Sequence, residues 1–399
     1  MVNVGVDLHK TQFTTCVKKN GFESFNKFST EEEGYQLFLS QVKKWQERGE
    51  EVRVGVESTG NTRYFKNRME DAGVEVKVIN PLKMKVVNES VKKTDKHDAA
   101  TIAEFLEKDM LPLSQLCSRE SEQIRRFLKV RTMLVKTVTL IKNQIHALLL
   151  SEGLPDVKSS ALQSKKGRKE TLNALNQCIN GLVAQPLIEM IDHLEEQINS
   201  IEKQIRVFVK GDKTVELLMT IPGCGEICAW TIRAYTDDIK RFSNPKKYVS
   251  FAGLAPWVQN SNEIIRHGKI TKRGPKELRT ALVQVVMGLR RMKAKTITWH
   301  MIKRYDFIKQ SKGSGKAIIA TARKIAVMIW HILTREEVFK LERMTDPKLV
   351  KKSEAMRKTM GDKTEEPQIE IQEKPVKVQK SKKVIKKPGV ASRKKKKVG

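Results

Sequence analysis

Cysteine is scarce in this 399-residue chain, and several signals of location are missing from it. The five cysteines are odd in number and scattered, which excludes a disulfide-stapled secreted domain. No apolar run approaches the roughly 18 residues of a membrane span, and Asp7 and His9 interrupt the amino-terminal apolar stretch, so no signal peptide is indicated. We therefore expect a cytoplasmic protein with no membrane segment.

Acidic residues are also fewer than basic ones. The chain has 46 Asp and Glu and 77 Lys and Arg, which gives a formal net charge of +31. Residues 350–399 carry a net charge of +11, so the rest of the chain is strongly basic as well. This balance points to a polyanion, most simply nucleic acid. The last 19 residues contain nine basic residues and neither an acid nor an aromatic, which predicts a disordered tail that attracts nucleic acid or merely aids solubility.

The amino-terminal part has the pattern of an α/β domain that begins with three strands. Valine-rich residues 2–8 predict a buried strand, and residues 12–18 alternate as a second one. Asn20-Gly21 is a strong hairpin signal before the third strand, and Thr30 is expected to cap the next helix. Helix, strand, helix, strand and helix then follow, which is the order of the ribonuclease H fold.

Four acids fall where such a fold would bring them together. Asp7 and Glu57 end the first and fourth strands, and the carboxyl ends of strands are where sites form in α/β sheets. Asp95 and Asp98 share one helical stripe with Ile102, so both carboxylates turn toward the sheet. Inward carboxylates are costly unless divalent cations compensate them. Singly, each acid is also explained as a turn, dipole or solvated residue. Together they predict a site for a pair of divalent cations about 4 Å apart, which could serve phosphoryl transfer.

The middle of the chain predicts two long helices. Apolar residues recur at a four-three spacing from Leu134 to Leu148 and again from Leu187 to Phe208. This spacing is a coiled-coil seam, and a polar connection separates the two segments. An antiparallel hairpin within one chain and an interface between copies both fit this pattern.

The carboxy-terminal part contains two candidate phosphate-binding features. Residues 217–235 predict two helices around a turn in which Gly223 and Gly225 would bring backbone N–H groups to a phosphate; a tight turn without a ligand is the alternative. Residues 261–279 are polar and predict a surface loop that leads into a helix at Pro275. The candidate nucleic-acid contacts in that loop are Arg266, Lys269, Lys272, Arg273, Lys276 and Arg279.

Several motifs occur in a specific order along residues 2–335. They are GVDLHK around Asp7, VESTG around Glu57, VINP, KTDKHDAATIA around Asp95 and Asp98, IPGCG, FAGLAP and GKITKRGPKELRTAL. Together they resemble the DEDD transposases of the insertion sequence 110 family, which are relatives of the Piv/MooV DNA invertases.

The resemblance implies a RuvC-like amino-terminal domain in which Asp7, Glu57, Asp95 and Asp98 bind Mg²⁺. It also implies a serine nucleophile at Ser261, followed by Asn262 where glycine is usual. Family members resemble recombinases that join two DNAs through a phosphoserine linkage under the guidance of a bridge RNA. They are expected to act as dimers that pair into tetramers on DNA, in the prokaryotic cytoplasm at the nucleoid.

We therefore predict a transposase that cuts and rejoins DNA for insertion-sequence mobility. The predicted regions are a RuvC-like catalytic domain (1–112), coiled-coil helices (113–212), a mostly α-helical transposase domain (213–345) and a Lys-rich tail (346–399). One alternative is a metal-dependent nuclease of the Holliday-junction type, in which water attacks and Ser261 is idle. The other is a non-catalytic scaffold that binds nucleic acid.

Overall fold

The protein is described by a computed structural model. The described residues are 1–81, 83–84, 94–154, 158, 160–178, 181–261, 264–292 and 299–341, with the backbone alone for those between 258 and 267. An amino-terminal part of mixed α/β structure precedes a mostly helical carboxy-terminal part. The predicted tail and Asn262 lie outside the described residues.

A five-stranded sheet with the order β3-β2-β1-β4-β5 forms the amino-terminal part. Its strands are β1 (Val2–Leu8), β2 (Gln12–Lys19), β3 (Phe22–Ser29), β4 (Val52–Glu57) and β5 (Glu75–Ile79). The central strand β1 pairs antiparallel with β2 and parallel with β4. The valines of β1 and β4 are buried, as expected for a strand covered on both faces. The predicted order of strands is confirmed.

Of the two features predicted on either side of β3, the hairpin turn before it is present and the helix cap after it is not. Asn20 and Gly21 have φ angles of 49° and 82°, which are the left-handed values of a tight hairpin turn. The helix that follows, α1 (Glu32–Glu47), has Glu31 at its N-cap position. The capping role predicted for Thr30 is wrong, because its hydroxyl donates to the carbonyl of Lys10 at 2.8 Å instead.

Helix α3 (Asp95–Glu107) packs directly on the central strand, while α2 (Thr62–Asp71) follows β4. A Cβ atom on Gly5 of β1 would lie 2.1 Å from the carbonyl oxygen of Ala99. Only glycine therefore allows the two backbones to approach this closely. The predicted cap of α3 is confirmed, since Thr94 accepts a hydrogen bond from the His97 backbone N–H at 3.2 Å.

Two long helices, α4 (Arg119–Ser151) and α6 (Gly181–Phe208), pack against each other within one chain. Ion pairs join Arg131 to Glu202 at 2.8 Å and Lys142 to Glu195 at 3.3 Å. Because residue numbers rise on one helix as they fall on the other, the pair is antiparallel. Of the two arrangements that fitted the seam, the structure has the intramolecular hairpin.

The connection between these helices is not simply polar coil, as the sequence suggested, but contains α5 (Lys165–Leu175). Arg168 of α5 is almost fully buried and contacts Asp192 and Glu195 of α6 at 2.6 Å and 2.9 Å. This pairing with a distant segment holds α5 against the hairpin tip.

The carboxy-terminal part is a helical cluster around one apolar core. Its helices are α7 (Lys213–Met219), α8 (Glu226–Thr236), α9 (Pro245–Phe251), α10 (Lys276–Arg291), α11 (His300–Lys312) and α12 (Ser314–Arg335). Among the described residues, α12 alone has the length and mean hydropathy, 1.4, of a membrane span. Several of its apolar side chains, such as Ile325 and Ile329, are buried in this core, and others are partly buried against it.

A β-hairpin stands where the sequence predicted an open loop. Strands β6 (Pro256–Ser261) and β7 (Ile264–Ile270) pair antiparallel. The loop prediction for this stretch is wrong over β7, whereas the predicted helix start at Pro275 is confirmed, because Pro275 is the N-cap residue of α10.

Candidate active site

Two acidic residues occupy neighbouring strand ends at one edge of the sheet. The last registered pair between β1 and β4 is Val6 with Val56, and Asp7 and Glu57 follow these residues directly. The hydroxyl of Thr62 donates to the Glu57 carbonyl at 2.7 Å, which fixes the turn after β4. The parallel register therefore makes neighbours of two acids that are 50 residues apart.

The first turn of α3 brings further carboxylates to the same edge. Asp95 Oδ1 lies 3.5 Å from His9 Nε2, and the same nitrogen lies 3.0 Å from Asp7 Oδ2. One ligand atom from each of these three residues falls within 4.8 Å of the others. Asp98, one turn along the helix, is close enough to act electrostatically on Asp7. The structure thus gathers Asp7, Asp95 and Asp98 and sets Glu57 beside them.

The environment of Asp7 works against its negative charge. Burial raises the pKa of the Asp7 carboxyl above its ordinary value, and the charges of Asp95 and Asp98 raise this pKa further. The contact with His9 lowers the pKa and only partly offsets these effects. Burial and the neighbouring carboxylates together therefore outweigh the contact with His9 at this carboxyl.

His9 is the site residue that the sequence analysis did not identify. Its backbone N–H donates to Gln12 at 3.0 Å, and the Asn61 amide donates to its carbonyl at 2.8 Å. These bonds tie the β1–β2 turn to the loop after Glu57. The signal that could have found it is spacing, because residues two apart on an extended strand lie on one face.

The donor set fits a hard divalent cation. Carboxylate oxygens are the ligands that Mg²⁺ and Mn²⁺ prefer, and the raised pKa of Asp7 marks a charge that a cation would compensate. Asp7, at 13 % side-chain exposure, is sheltered, while Asp95, at 38 %, is open to solvent. The edge of the sheet is therefore accessible to an ion and to a bound phosphate.

Ser261 belongs to the β6–β7 hairpin of the carboxy-terminal part. It ends β6 and pairs with Ile264.

The other predicted nucleic-acid contacts fall into different settings. Arg266 belongs to β7, and exposed side chains on or after that strand are those of Lys269, Lys272, Arg273 and Lys276. Arg279 is half-buried, and its guanidinium donates to the carbonyl of Ala252 at 3.1 Å. Arg279 thus supports the loop, whereas the exposed lysines and Arg273 are available to a ligand.

The glycine-rich turn before α8 has a packing function. Gly223 has a φ of 80°, and a Cβ there would lie 2.6 Å from the backbone nitrogen of Leu289 on α10. Gly225 is the exposed N-cap residue of α8. The carboxylate of Glu226 already lies at this helix end, where Arg206 pairs with it at 2.7 Å. The turn is thus explained by close helix packing, and phosphate binding there stays a prediction.

Family comparisons match two segments of the chain. A transposase model for DEDD proteins of IS110 elements matches residues 4–152, which include all four acids. A second model, described as transposase IS116/IS110/IS902 family, matches residues 215–300, which include Ser261.

Relatives from three bacteria resemble most of the chain. A probable family 20 transposase of Pseudomonas aeruginosa is 26 % identical over 76 % of this chain and 90 % of its own length. The transposase for insertion sequence element IS1111A of Coxiella burnetii is 28 % identical over 84 % and 91 %. A pilin gene-inverting protein of Moraxella bovis is 23 % identical over 84 % and 97 %.

Proposed function

The chain belongs to the IS110 family of insertion-sequence transposases, and we propose that it joins DNA strands through a covalent bond to Ser261. In this proposal divalent cations are held by Asp7, Glu57, Asp95 and Asp98. The observation that carries it is the convergence of Asp7 and Asp95 on His9 at the sheet edge beside Glu57. Transposition and DNA recombination are the activities that the relatives share.

The proposed domain organisation follows the sequence prediction. The sheet order supports a ribonuclease-H-like, RuvC-like catalytic domain over residues 1–112. The antiparallel helices supply a coiled-coil region over 113–212, and the helical core with its hairpin supplies a transposase domain over 213–345. The basic segment 346–399 would act as an arm that attracts nucleic acid without reading its sequence.

The acidic residues would hold the divalent cations that face the reacting phosphate. Asp7 and Asp95 offer carboxylate oxygens on the two sides of the site, and Glu57 and Asp98 extend the set along β4 and α3. Mg²⁺, or Mn²⁺ in its place, supplies charge stabilisation for an in-line phosphoryl transfer when bound. The hydrogen bonds of His9 and Thr62 keep the strand ends that carry these oxygens in place.

The proposed reaction keeps the number of phosphodiester bonds constant. The Ser261 oxygen forms a bond to phosphorus, the bond between phosphorus and the leaving deoxyribose oxygen breaks, and the serine proton passes through solvent to that oxygen. A hydroxyl of a second DNA strand then attacks the same phosphorus and returns the proton to Ser261. Because one phosphodiester replaces another, no ATP is consumed.

The proposed partners follow from the charge and the family. DNA element ends and target are the substrates, and a bridge RNA would select them by base pairing. A second copy of the chain would contribute its Ser261 to the acids of the first, as the resemblance to the family implies, in dimers that pair into tetramers on DNA. The proposed location is the bacterial cytoplasm at the nucleoid.

A denaturing gel tests the proposal. The wild-type protein, expressed with a plasmid that carries the native element and its flanks, should give a covalent protein–DNA adduct. Ser261→Ala should abolish the adduct, and the matched control Ser250→Ala, at an exposed serine of α9, should retain it. Free cut ends at the wild-type rate in Ser261→Ala would establish the nuclease instead. A scaffold would give no cut ends, and Asp7→Ala would then change nothing.

A further inference from the structure

A basic groove opens beside the start of the β6–β7 hairpin. Its volume is about 490 Å³, and it runs between α9, α11 and α12 to Ala255, the residue before β6. Val249, Ile308 and Val327 contribute to an apolar floor. Four cations line it: Lys246, Arg304, Arg323 and Lys324.

Among the residues that the structure describes, these four cations have no acidic counterpart. All four are exposed, and within the described part of the chain none forms an ion pair. On the neighbouring surface of α11, by contrast, Asp306 lies 3.7 Å from Arg290. No acidic residue is among those that line the groove. Such a concentration of one charge favours a polyanion.

An exposed aromatic side chain lies just beyond this groove. Trp257 on β6 is 53 % exposed, and a Cβ on Gly268 of β7 would lie 2.9 Å from its ring. The glycine therefore makes room for the indole to lie across the hairpin while half of the indole stays open to solvent. A half-exposed indole offers an open ring of the kind on which a nucleobase can stack.

We propose that the groove and Trp257 form a track for single-stranded DNA that leads to Ser261. Phosphates would contact the four cations, sugars would cover the apolar floor, and one base would stack on Trp257. Trp257 lies two residues beyond Ala255 on the chain and four before Ser261, which is about 13 Å along an extended strand. The inference rests on the proposed function, since it is the reacting strand that the track would hold.

The features favour an unpaired strand over a duplex. Stacking on an aromatic side chain uses the face of a base, which a duplex hides between neighbouring base pairs. Cations along a groove with an apolar floor combine the two elements by which proteins hold single strands without reading sequence.

Salt-dependent binding of a mixed-sequence oligonucleotide tests the cations. Arg323→Ala/Lys324→Ala should lower the slope of log affinity against log salt by about 1.4, at about 0.7 for each phosphate contact. Lys43→Ala/Lys44→Ala on α1 removes the same charge from an exposed helix face elsewhere and should leave the slope unchanged. Equal slopes in the two double variants would overturn the proposal. Thermal unfolding would show that both are folded.

Trp257 is tested with the same oligonucleotide. Trp257→Ala should weaken binding about 5- to 100-fold, and Trp257→Phe should restore most of the loss. Phe22→Ala, at an exposed ring of β3, is the matched control and should bind like the wild type. Binding that quenches the wild-type tryptophan fluorescence should quench that of Trp257→Phe far less. Unchanged affinity of Trp257→Ala would refute the stacking role.

The choice of ligand separates the remaining outcomes. Tighter binding of duplex DNA, or of RNA of the same sequence, would contradict a single-stranded DNA track. If tryptophan fluorescence were quenched as the protein concentration rises in the absence of DNA, a second copy of the chain would cover Trp257. Ser261→Ala should bind the oligonucleotide as the wild type does. The two proposals can fail separately. If the wild type gave no covalent adduct but the groove variants still lost DNA binding, the proposed function would be wrong and the single-stranded DNA track would remain supported.

Discussion

The imidazole Nε2 of His9 lies 3.0 Å from Oδ2 of Asp7. This contact lowers the pKa of the Asp7 carboxyl and so partly offsets the effect of the nearby charges of Asp95 and Asp98. It also links the β1–β2 turn to the acids, so that the site is organised before a metal ion is bound. The predictions below follow from this arrangement and from the packing that supports it.

Asp7→Asn should weaken the binding of divalent cations at the sheet edge. Without added metal at pH 7 the variant should melt at a higher temperature than the wild type, because a raised folded pKa makes the ionised Asp7 destabilising above its ordinary pKa. Mg²⁺ or Mn²⁺ at 100 times its dissociation constant should stabilise the wild type by about 2.7 kcal/mol and the variant far less. Asp71→Asn, at an exposed acid that ends α2, should behave as the wild type. Equal metal responses of wild type and Asp7→Asn would contradict the site. Melting curves with and without metal measure both effects.

Gly5→Ala should separate β1 from α3. The added methyl would meet Ala99 O at 2.1 Å and Ala103 N at 2.4 Å, and both are backbone atoms that cannot rotate away. We expect a loss of about 3 kcal/mol in the free energy of unfolding, with a weaker metal response because α3 carries Asp95 and Asp98. Gly315→Ala, where a Cβ meets nothing within 4 Å, is the control. A stable Gly5→Ala with full metal response would show that the contact is unimportant. Urea unfolding reports the stability.

Asp237→Asn should remove a pH-dependent clasp between α4 and α8. Burial alone would raise the pKa of Asp237, but hydrogen bonds from Ser118 and Ser121 hold it below its ordinary value. A lowered folded pKa stabilises the protein above the ordinary pKa, and this stabilisation disappears as the pH falls through the folded value. The variant should be about 2 kcal/mol less stable than the wild type at pH 7.

The difference in the free energy of unfolding between the wild type and Asp237→Asn should shrink below about pH 4, where the carboxyl of the unfolded chain takes up a proton. Urea unfolding of both proteins across this range measures it. Ser121→Ala should give a smaller loss with the same pH profile. A difference that stays constant to pH 3 would mean that the charge of Asp237 is not responsible.

Arg168→Ala should loosen the hairpin tip alone. The variant leaves Asp192 and Glu195 without their closest cation and should cost about 3 kcal/mol locally. Hydrogen exchange should rise in α5 and the adjoining end of α6, while the metal response of the Asp7 site stays unchanged. Lys165→Ala, which removes an exposed partner 4.0 Å from Glu196, should have little effect. Loss of the metal response would show that the tip and the site are coupled.

The sheet and the acids could be predicted because their signals are local. Runs of valine, the Asn20-Gly21 turn and the helical spacing of Asp95 and Asp98 each specify a structure over a few residues. His9 was missed because its role depends on Asp95, which lies 86 residues away and meets it only across the fold. Helix α5 was missed because the acids that pair with Arg168 belong to another helix.

The β6–β7 hairpin was missed for a different reason. Its second strand mixes apolar residues with Arg266, His267 and Lys269, and a two-stranded ribbon outside the main sheet has no buried face that would impose an alternating pattern. Polar composition therefore indicated a loop. The exposure of Trp257 could be seen only once its partner strand was in place.

Helix α4 has 33 residues and so extends about 50 Å from the Asp237 clasp to the tip that Arg168 holds. The far end of this arm is separated from the clasp by the full length of the helix. Substitutions at the tip, such as one at Arg168, act on α5 and α6 without touching the serines that bind Asp237. The length of one helix thus gives the two ends of the arm separate sets of contacts.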